Sequence, residues 1–381
     1  MDFAFSPDQE ALAKRIREFT AERMAPLAAE ADRTGRFRDG LFAELAEQEL
    51  FALGVPTAYG GRGADSVSLG IALEELAAGD LTPCYAVLNA ALIGAILDNN
   101  ATPEQCREWL PAVAAGESVL ALCLTEPDHG TDAASVEMRA EESASGWVLH
   151  GVKTSTMLGA YATHGVVFAR TGGPGARGVT AFFTPLDAPG ITRTPLNDLG
   201  SRAGGRSTLI FDGVSVTSDN VIGGPGLGFV QVMRGFDYSR ALIALMAVGA
   251  ASASLREAID HARVRETFGR PIGTYQGVAF PLAEHATALH MARLLAYEAL
   301  WRKDAGLDHR KEANMAKWWA PKAAVDAAHQ ALLTFGHHAW SEDLPLARRL
   351  RDLIGTELAD GTAGATRMVV ARQLLGREHA P

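Results

Sequence analysis

The most specific pattern in the chain lies at residues 265–276, which read Arg265-Glu266-Thr267-Phe268-Gly269-Arg270-Pro271-Ile272-Gly273-Thr274-Tyr275-Gln276. Two interpretations of this segment are open. Arg265 and Gln276 could bind a pyrophosphate and an adenine-side group through bidentate and amide hydrogen bonds. Alternatively, basic residues complement the dipole of a helix that Gly269 ends. Physical chemistry alone favours the second interpretation, which predicts a helix end followed by an extended linker.

The sequence on either side of this segment divides the chain into three parts. Long helical periods occur near residues 229–263, 276–305, 311–334 and 345–358, and their short connections favour an antiparallel bundle. Upstream lie five short β-rich runs, at residues 119–124, 147–152, 166–170, 179–184 and 208–211. Before them the chain is helical, with capping boxes at Ser6-Pro7-Asp8-Gln9 and Thr102-Pro103-Glu104-Gln105.

We therefore predict an α+β fold with three domains. An N-terminal α-helical domain covers residues 1–118, a middle β-domain covers residues 119–227, and a C-terminal antiparallel four-helix bundle covers residues 228–381.

Composition excludes several classes of protein. The 381 residues contain 35 Lys plus Arg against 45 Asp plus Glu, and a net charge of −10 disfavours nucleic acid as a partner. The apolar run at residues 241–253 is too short to span a membrane. The three cysteines lack CxxC spacing and His337-His338 cannot place both rings on one helix face, so we expect no metal site. With no secretory signal pattern at its start, the chain is expected to be cytoplasmic.

Two polar segments interrupt this pattern. Residues 124–132, Leu124-Thr125-Glu126-Pro127-Asp128-His129-Gly130-Thr131-Asp132, offer hydroxyls and backbone N–H groups to a polar ring edge or an anion, although Pro, Asp and Gly also simply form turns. Residues 359–362 read Ala359-Asp360-Gly361-Thr362. Asp360 is therefore either a carboxylate positioned in a pocket or a turn former.

Together these segments resemble the acyl-CoA dehydrogenase family, the FAD enzymes that desaturate acyl-CoA thioesters. The resemblance extends over nearly the whole chain. It is carried by motifs whose order and separation are difficult to obtain by chance. These are Leu53-Gly54-Val55-Pro56, Tyr59-Gly60-Gly61-Arg62-Gly63, Glu74-Glu75-Leu76-Ala77, residues 125–132, Phe236-Asp237-Tyr238-Ser239-Arg240, residues 265–276, and Arg351-Asp352 leading to Gly361-Thr362 and Arg367.

The resemblance implies a bound FAD between the β-domain and the C-terminal bundle, with its adenine end reaching a neighbouring subunit. The residues implied in FAD binding are Leu124, Thr125, Gly130, Thr131, Thr156, Arg265, Thr267, Phe268, Gln276, Gln330, Gly336 and Thr362. Those implied in binding the thioester and its CoA are Thr131, Phe236, Asp237, Arg240 and Gly361. Because both ligands are anionic, we expect basic residues around the site to offset the acidic net charge.

The implied reaction is α,β-desaturation, in which a base removes the α-proton while the β-hydrogen leaves as hydride to the flavin. Hydrogen bonds to the thioester carbonyl stabilise the enolate-like charge. Asp360 stands where the family normally has Glu, and its shorter side chain withdraws the carboxylate oxygens by ~1.5 Å. Asp360 is nevertheless the predicted catalytic base, and Glu357, one helical turn earlier, is its rival.

Further departures from the family pattern lie near the implied flavin. Ser155 replaces a Trp that covers the flavin and Met157 replaces a Thr, although a slip of one residue would bring Thr156 to that place. Gln330 and Gly336 keep the two ends of a family motif. Within and beyond that motif, usual residues are replaced by Leu333, Thr334 and Gly364. These changes favour an unusual substrate, and the small Ser155 favours a compact cyclic or branched acyl group.

Two other functions remain open at this stage. The same fold could act as an enoyl-CoA reductase or as an oxygen-using flavin oxidase or hydroxylase, or the chain could be a non-catalytic acyl-CoA-binding protein. For the dehydrogenase, the resemblance implies electron-transferring flavoprotein as electron acceptor and a homotetramer built as a dimer of dimers.

Overall fold

The computed structural model describes residues 3–380, and their first part is helical. At its start, Ser6 Oγ accepts a hydrogen bond from the Gln9 N–H at 3.2 Å, and Thr102 Oγ1 accepts one from Gln105 at 3.3 Å. Both predicted capping boxes are thereby confirmed. The helices are α1 (Pro7–Phe19), α2 (Ala28–Thr34), α3 (Leu41–Glu47), α4 (Ser66–Gly79), α5 (Cys84–Asn100) and α6 (Pro103–Ala114).

The middle part of the chain forms one seven-stranded sheet. The strands are β1 (Leu120–Cys123), β2 (Arg139–Ser143), β3 (Gly146–Thr156), β4 (His164–Arg170), β5 (Val179–Pro185), β6 (Ile191–Pro195) and β7 (Ser207–Val216). Strand β4 pairs in parallel with β1 and antiparallel with β5. Strand β3 is antiparallel to both β2 and β7, and β7 is antiparallel to β6.

Five of these strands match the predicted β-rich runs, and two do not. The prediction missed β2 and β6 because most of their side chains are polar and face solvent, so they lack the apolar content by which the others were recognised.

The C-terminal part is helical, as predicted. Four long helices, α7 (Gly228–Val264), α8 (Gln276–Asp304), α9 (Arg310–Phe335) and α10 (Pro345–Leu358), are followed by a fifth, α11 (Ala363–Leu375). Helix α7 packs against α4, α5, α8, α9 and α10, and α11 packs against α9. Between α7 and α8 lie the short strands β8 (Glu266–Thr267) and β9 (Arg270–Pro271), which form a hairpin where the sequence predicted an extended linker.

Helix α7 is also, among residues 3–380, the one helix long and apolar enough to cross a membrane. Its most apolar window is 78% buried within the protein, so packing in the core accounts for that composition.

The α-helices end at Ala114 and resume at Gly228, with the sheet between them. The domain boundaries at residues 118 and 227 remain our proposal.

Candidate active site

A cavity of about 1050 Å³ lies where α5, the sheet, α7 and the last two helices meet. This volume reaches the upper end of the ~300–1000 Å³ common for ligand sites, so the cavity can hold a large ligand. Its charged lining consists of seven arginines and three aspartates: Arg206, Arg234, Arg240, Arg310, Arg351, Arg372, Arg377, Asp198, Asp237 and Asp360. A basic site within an acidic chain matches the expectation for anionic ligands.

The polar turn after β1 forms one wall of the cavity. Glu126 fixes this turn by accepting hydrogen bonds from the backbone N–H groups of Glu137 at 2.6 Å and Met138 at 2.9 Å. Lys153, which is fully buried, donates to Glu126 at 2.7 Å and to the Leu124 carbonyl at 3.0 Å. Burial lowers the pKa of Lys153 to about 8, against the opposing effect of the Glu126 carboxylate. The turn is therefore held in place before any ligand binds.

A bulge in β3 decides which side chains of the next wall reach the cavity. The pairing of β3 with β7 shifts between Lys153 and Thr156, and Ser155 adopts a left-handed φ of 57°. Ser155 and Met157 line the cavity, whereas Thr156 is 1% exposed and is not part of the lining. Arg206 donates to Ser155 Oγ at 2.8 Å, so a cation flanks the space that the smaller residue leaves.

Asp360 lies in the turn between α10 and α11. Its φ of 50° and the φ of 105° at Gly361 form the break in the helix that the sequence predicted. Ser239, buried on α7, donates from Oγ to Asp360 Oδ2. Arg240 Nε donates to the Asp360 carbonyl at 2.9 Å, and Lys317 Nζ donates to the Gly361 carbonyl at 3.0 Å. Three donors from α7 and α9 thus hold this turn against the cavity.

The charge state of Asp360 is set by opposing effects. Burial raises the pKa of Asp360, while the hydrogen bond from Ser239 and the charges of Lys317 and Arg240 lower it. Burial also lowers the pKa of Lys317 to about 8, and the Asp360 carboxylate partly offsets this shift. Burial outweighs the three opposing effects, so the pKa of Asp360 is raised overall.

The other two aspartates of the cavity are paired with arginines. Asp198 Oδ1 accepts from Arg206 Nε at 3.0 Å. Asp237 accepts from Arg310 at 2.8 Å and from Arg240 at 3.3 Å. No ion pair within residues 3–380 involves the Asp360 carboxylate.

Much of the predicted site comes together in this cavity. The lining includes ten of its residues: Leu124, Thr125, Gly130, Thr131, Phe236, Asp237, Arg240, Asp360, Gly361 and Thr362. Seven others lie outside the lining: Thr156, Arg265, Thr267, Phe268, Gln276, Gln330 and Gly336. Of these, four lie within residues 265–276, the segment that contains the β8–β9 hairpin. Two lie at the C-terminal end of α9. Glu357, the rival base, is also outside the lining.

Sequence analysis missed several residues at the site. Lys317 carried a recognisable signal, because it is a cation within the buried alanine stripe of Ala313, Ala316 and Ala320 on α9. The pairing of Arg206 with Asp198 and Ser155 left no such signal, since it depends on how the strands pack together.

Fold and site together define a protein with a large arginine-lined cavity beside one carboxylate, Asp360, that forms no ion pair among residues 3–380. The chain belongs to the acyl-CoA dehydrogenase family. It matches the family's N-terminal domain over residues 6–117, its middle domain over residues 121–214 and its C-terminal domain over residues 226–375.

Individual relatives agree with this assignment. The mitochondrial short-chain specific acyl-CoA dehydrogenase of Bos taurus is 35% identical over 368 residues, covering 96% of this chain and 89% of that protein. The 3-(aryl)acrylate reductase of Clostridium sporogenes is 31% identical over 374 residues, covering 97% and 99%. The structure of butyryl-CoA dehydrogenase from Megasphaera elsdenii superposes with a TM-score of 0.96 at 30% identity, covering 98% and 100%.

The protein is therefore an oxidoreductase that acts on a CH–CH group, which sets aside the non-catalytic alternative. Its cofactor is FAD, as the resemblance implied. The cavity fits this group: the first turn of α11, with Thr362 as its cap, and Arg372 in the last turn both line it, and helix N-termini and arginines both favour phosphate. Within residues 3–380, no cluster of three or more His, Cys, Asp or Glu is arranged to hold a metal.

Proposed function

We propose that the chain catalyses α,β-desaturation of an acyl-CoA thioester with a compact cyclic or branched acyl group, and that Asp360 is the base. The observation that carries this proposal is the unpaired carboxylate: Asp198 and Asp237 are engaged by arginines, whereas Asp360 accepts only the Ser239 hydroxyl. A base needs an oxygen available for the proton and a pKa high enough to accept it. Burial raises the pKa of Asp360, and Ser239 donates to Oδ2 rather than to Oδ1.

In the proposed reaction, Asp360 takes the α-proton as the carbon–carbon double bond forms. FAD supplies the two-electron acceptor for the β-hydrogen. The chain itself positions the base: Ser239 orients the carboxylate, while Arg240 and Lys317 hold the two successive carbonyls of Asp360 and Gly361. Holding the carboxylate in place before the substrate binds reduces the entropic cost of reaching the transition state.

Two features support a compact acyl group. Ser155, in place of the larger family residue, lines the cavity, and the shorter Asp360 side chain leaves additional room at the reacting carbons. Part of the apolar lining comes from α5 and α7, with Leu88, Leu92 and Ile243. Branches or a ring would fill this width better than a single straight chain.

The test is anaerobic bleaching of the flavin by a panel of thioesters: butyryl-CoA, octanoyl-CoA, isobutyryl-CoA, isovaleryl-CoA and cyclohexanecarbonyl-CoA. We expect kcat/KM to be highest for a branched or cyclic member. Ser155→Trp should reverse that order by narrowing the cavity. A wild-type preference for a straight chain over every branched or cyclic thioester would refute the proposed substrate shape.

Reduction in the opposite direction is the second candidate, because the relative from Clostridium sporogenes is named as a 3-(aryl)acrylate reductase. The same residues would then act in reverse, with protonated Asp360 donating to the α-carbon. Dithionite-reduced protein should be mixed anaerobically with crotonyl-CoA and cinnamoyl-CoA. Reoxidation of the flavin by either thioester, without bleaching by any saturated thioester, would favour the reductase.

We further propose a homotetramer, a dimer of dimers, that passes electrons to an electron-transferring flavoprotein in the cytoplasm. Large apolar side chains support assembly: Phe268 is 93% exposed and Trp340 is 94% exposed in the single chain. Such exposure is characteristic of interaction surfaces. Light scattering after gel filtration should give four times the 40.4 kDa chain mass. A monomer that retains FAD would contradict the proposed assembly.

A further inference from the structure

One part of the cavity lining carries polar side chains that the reaction described above does not use. It is formed by α5 and by residues 198–201. On α5, Tyr85, Leu88, Asn89 and Leu92 line the cavity at helical spacing, so polar and apolar side chains share one face. Asn89 donates its amide hydrogen to the Leu120 carbonyl at 2.9 Å, which fixes the side chain.

Ser201 presents a hydroxyl that lacks a partner. Its backbone has a left-handed φ of 48°, and its N–H donates to Asp352 Oδ1 at 2.5 Å. Ser201 is 6% exposed, and its Oγ finds no hydrogen-bond partner among residues 3–380. The loop has little room to move, because a Cβ at Gly200 would lie 2.3 Å from the Arg351 carbonyl oxygen. The hydroxyl is thus held at the cavity by a rigid loop.

Tyr85 and Asp352 complete this polar wall. Burial raises the pKa of Tyr85, and Ser201 lies close enough to the phenol to lower it. A Cβ at Gly355 would lie 3.9 Å from the Tyr85 hydroxyl oxygen, which places the phenol against α10. Asp352 Oδ2, behind Ser201, forms an ion pair with Arg348 at 3.8 Å but finds no hydrogen-bond partner within the described part of the chain. The Asp360 charge contributes to the raised pKa of Tyr85, so the polar wall lies near the proposed base.

An unpaired buried polar group is unfavourable by about 1–3 kcal/mol, so the Ser201 hydroxyl at the cavity indicates a missing partner. The Asp352 carboxyl, which accepts from the Ser201 N–H and shares Arg348 with Asp80, disfavours an anionic partner beside this hydroxyl. A neutral hydroxyl can both donate and accept, which suits Tyr85 and Ser201 together.

We propose that Tyr85 and Ser201 bind a hydroxyl group on the acyl chain, so that the substrate is a hydroxyacyl thioester. This inference rests on the proposed function, since it assumes that an acyl-CoA enters the cavity. It specifies the acyl group further: a compact group that carries one hydrogen-bonding substituent beside its apolar surface.

The experiment compares hydroxyacyl thioesters with their methyl isosteres on the FAD-loaded protein. The probes are 3-hydroxybutyryl-CoA, 4-hydroxybutyryl-CoA and 5-hydroxyvaleryl-CoA, paired with isovaleryl-CoA, valeryl-CoA and hexanoyl-CoA. Affinity is measured by calorimetry with Asp360→Asn, which should bind without turnover, and kcat/KM by anaerobic bleaching of the wild type. We expect at least one hydroxyacyl probe to exceed its isostere by ~10-fold, the value of one net hydrogen bond.

Two variants then locate the preference. Tyr85→Phe removes the phenolic hydroxyl, and Ser201→Gly removes the serine hydroxyl while tolerating the left-handed backbone. Each substitution should reduce the ratio of affinities, hydroxyacyl probe over methyl isostere, to about 1. Tyr297→Phe is the matched control, because its hydroxyl donates to Glu74 at 2.6 Å and is not part of the lining.

The outcomes separate this inference from the proposed function. If saturated thioesters bleach the flavin but no hydroxyl is preferred in wild type, the inference is wrong and the dehydrogenase stands. If both variants still prefer the hydroxyacyl probes, the inference is also wrong. An ordered water would then be the hydrogen-bond partner of Tyr85 and Ser201. If no thioester of either kind bleaches the flavin, the proposed function itself fails.

Discussion

The enclosed cavity and the exposed hairpin were both assigned to FAD from sequence, and their construction differs. In the cavity, the polar turn and the Asp360 turn are fixed by buried ion pairs and hydrogen bonds. The hairpin is also well formed: Phe268 and Gly269 both adopt positive φ in its two-residue turn, and Arg270 lies 4.2 Å from the centre of the Tyr275 ring. Yet Phe268 at its tip is 93% exposed.

This difference supports the proposal that the hairpin contacts a partner subunit. The cavity is preorganised within one chain. The hairpin holds an aromatic residue in a strained left-handed conformation facing solvent, an arrangement that brings no benefit within the single chain. Variants of the cavity should therefore alter chemistry, whereas variants of the hairpin should alter cofactor occupancy and assembly.

The largest effect is expected at the base. Asp360→Asn keeps the approximate shape of the side chain but removes its basicity, so kcat for flavin reduction should fall by ~100-fold or more. FAD content and thioester affinity should stay close to wild type. Stopped-flow bleaching at saturating thioester measures the rate, and the flavin absorbance ratio measures occupancy.

Glu357→Gln is the matched control, because Glu357 is on α10 outside the cavity lining. It should retain near-normal flavin reduction. Normal flavin reduction in Asp360→Asn, together with a loss of flavin reduction in Glu357→Gln, would identify Glu357 as the base.

The next largest effect is expected at the hairpin. If Arg265 bonds to the FAD of a neighbouring subunit, Arg265→Ala loses a charged hydrogen bond, and FAD affinity should fall by ~10–100-fold. The purified variant should then be largely apo-protein, while its far-UV circular dichroism is unchanged. Arg263→Ala is the control, since Arg263 pairs only with Asp260 at 2.9 Å. Full FAD occupancy in Arg265→Ala would show that the hairpin is not part of the cofactor site.

Sequence analysis succeeded where the signal was local. Capping at Ser6, the helix break at Asp360 and the start of α8 at Gln276 all follow from nearby residues, and the structure shows each of them. The resemblance added the family, because the separations between motifs report a whole fold rather than one element.

What sequence could not provide were contacts across the fold. The bulge that turns Ser155 rather than Thr156 into the cavity depends on the register of β3 against β7. The bond from Ser239 to Asp360 joins residues 121 positions apart. Helix α5 is buried along most of its length and lacks a solvent-facing polar stripe, so its bounds could not be assigned from periodicity.

A smaller effect tests how the cavity controls its base. The Ser239 hydroxyl lowers the pKa of Asp360, so Ser239→Ala should raise that pKa and shift the acid limb of the kcat profile to higher pH by ~1 unit, the equivalent of one hydrogen bond. Flavin reduction measured from pH 5 to pH 9 gives the shift. Ser254→Ala, whose hydroxyl contacts only the carbonyl of Ala250 on the same helix, should not move it. An unchanged acid limb in Ser239→Ala would mean that another group titrates.

The smallest expected effect concerns stability rather than activity, and it again separates the two regions. Burial, with a smaller contribution from Asp80, raises the pKa of Asp352 to about 7. An unfolded aspartate titrates near ~3.9, so between about pH 4 and pH 7 the folded chain binds more protons than the unfolded chain. Stability should therefore fall as pH rises through this window, and Asp352→Asn should flatten the fall. Urea unfolding at pH 4.5, 6 and 7.5 measures the slope, with Glu266→Gln on the exposed hairpin as the control that leaves it unchanged. An equally steep fall in Asp352→Asn would show that the Asp352 carboxyl does not bind the proton, and the buried Asp80, whose pKa is also raised, would become the candidate.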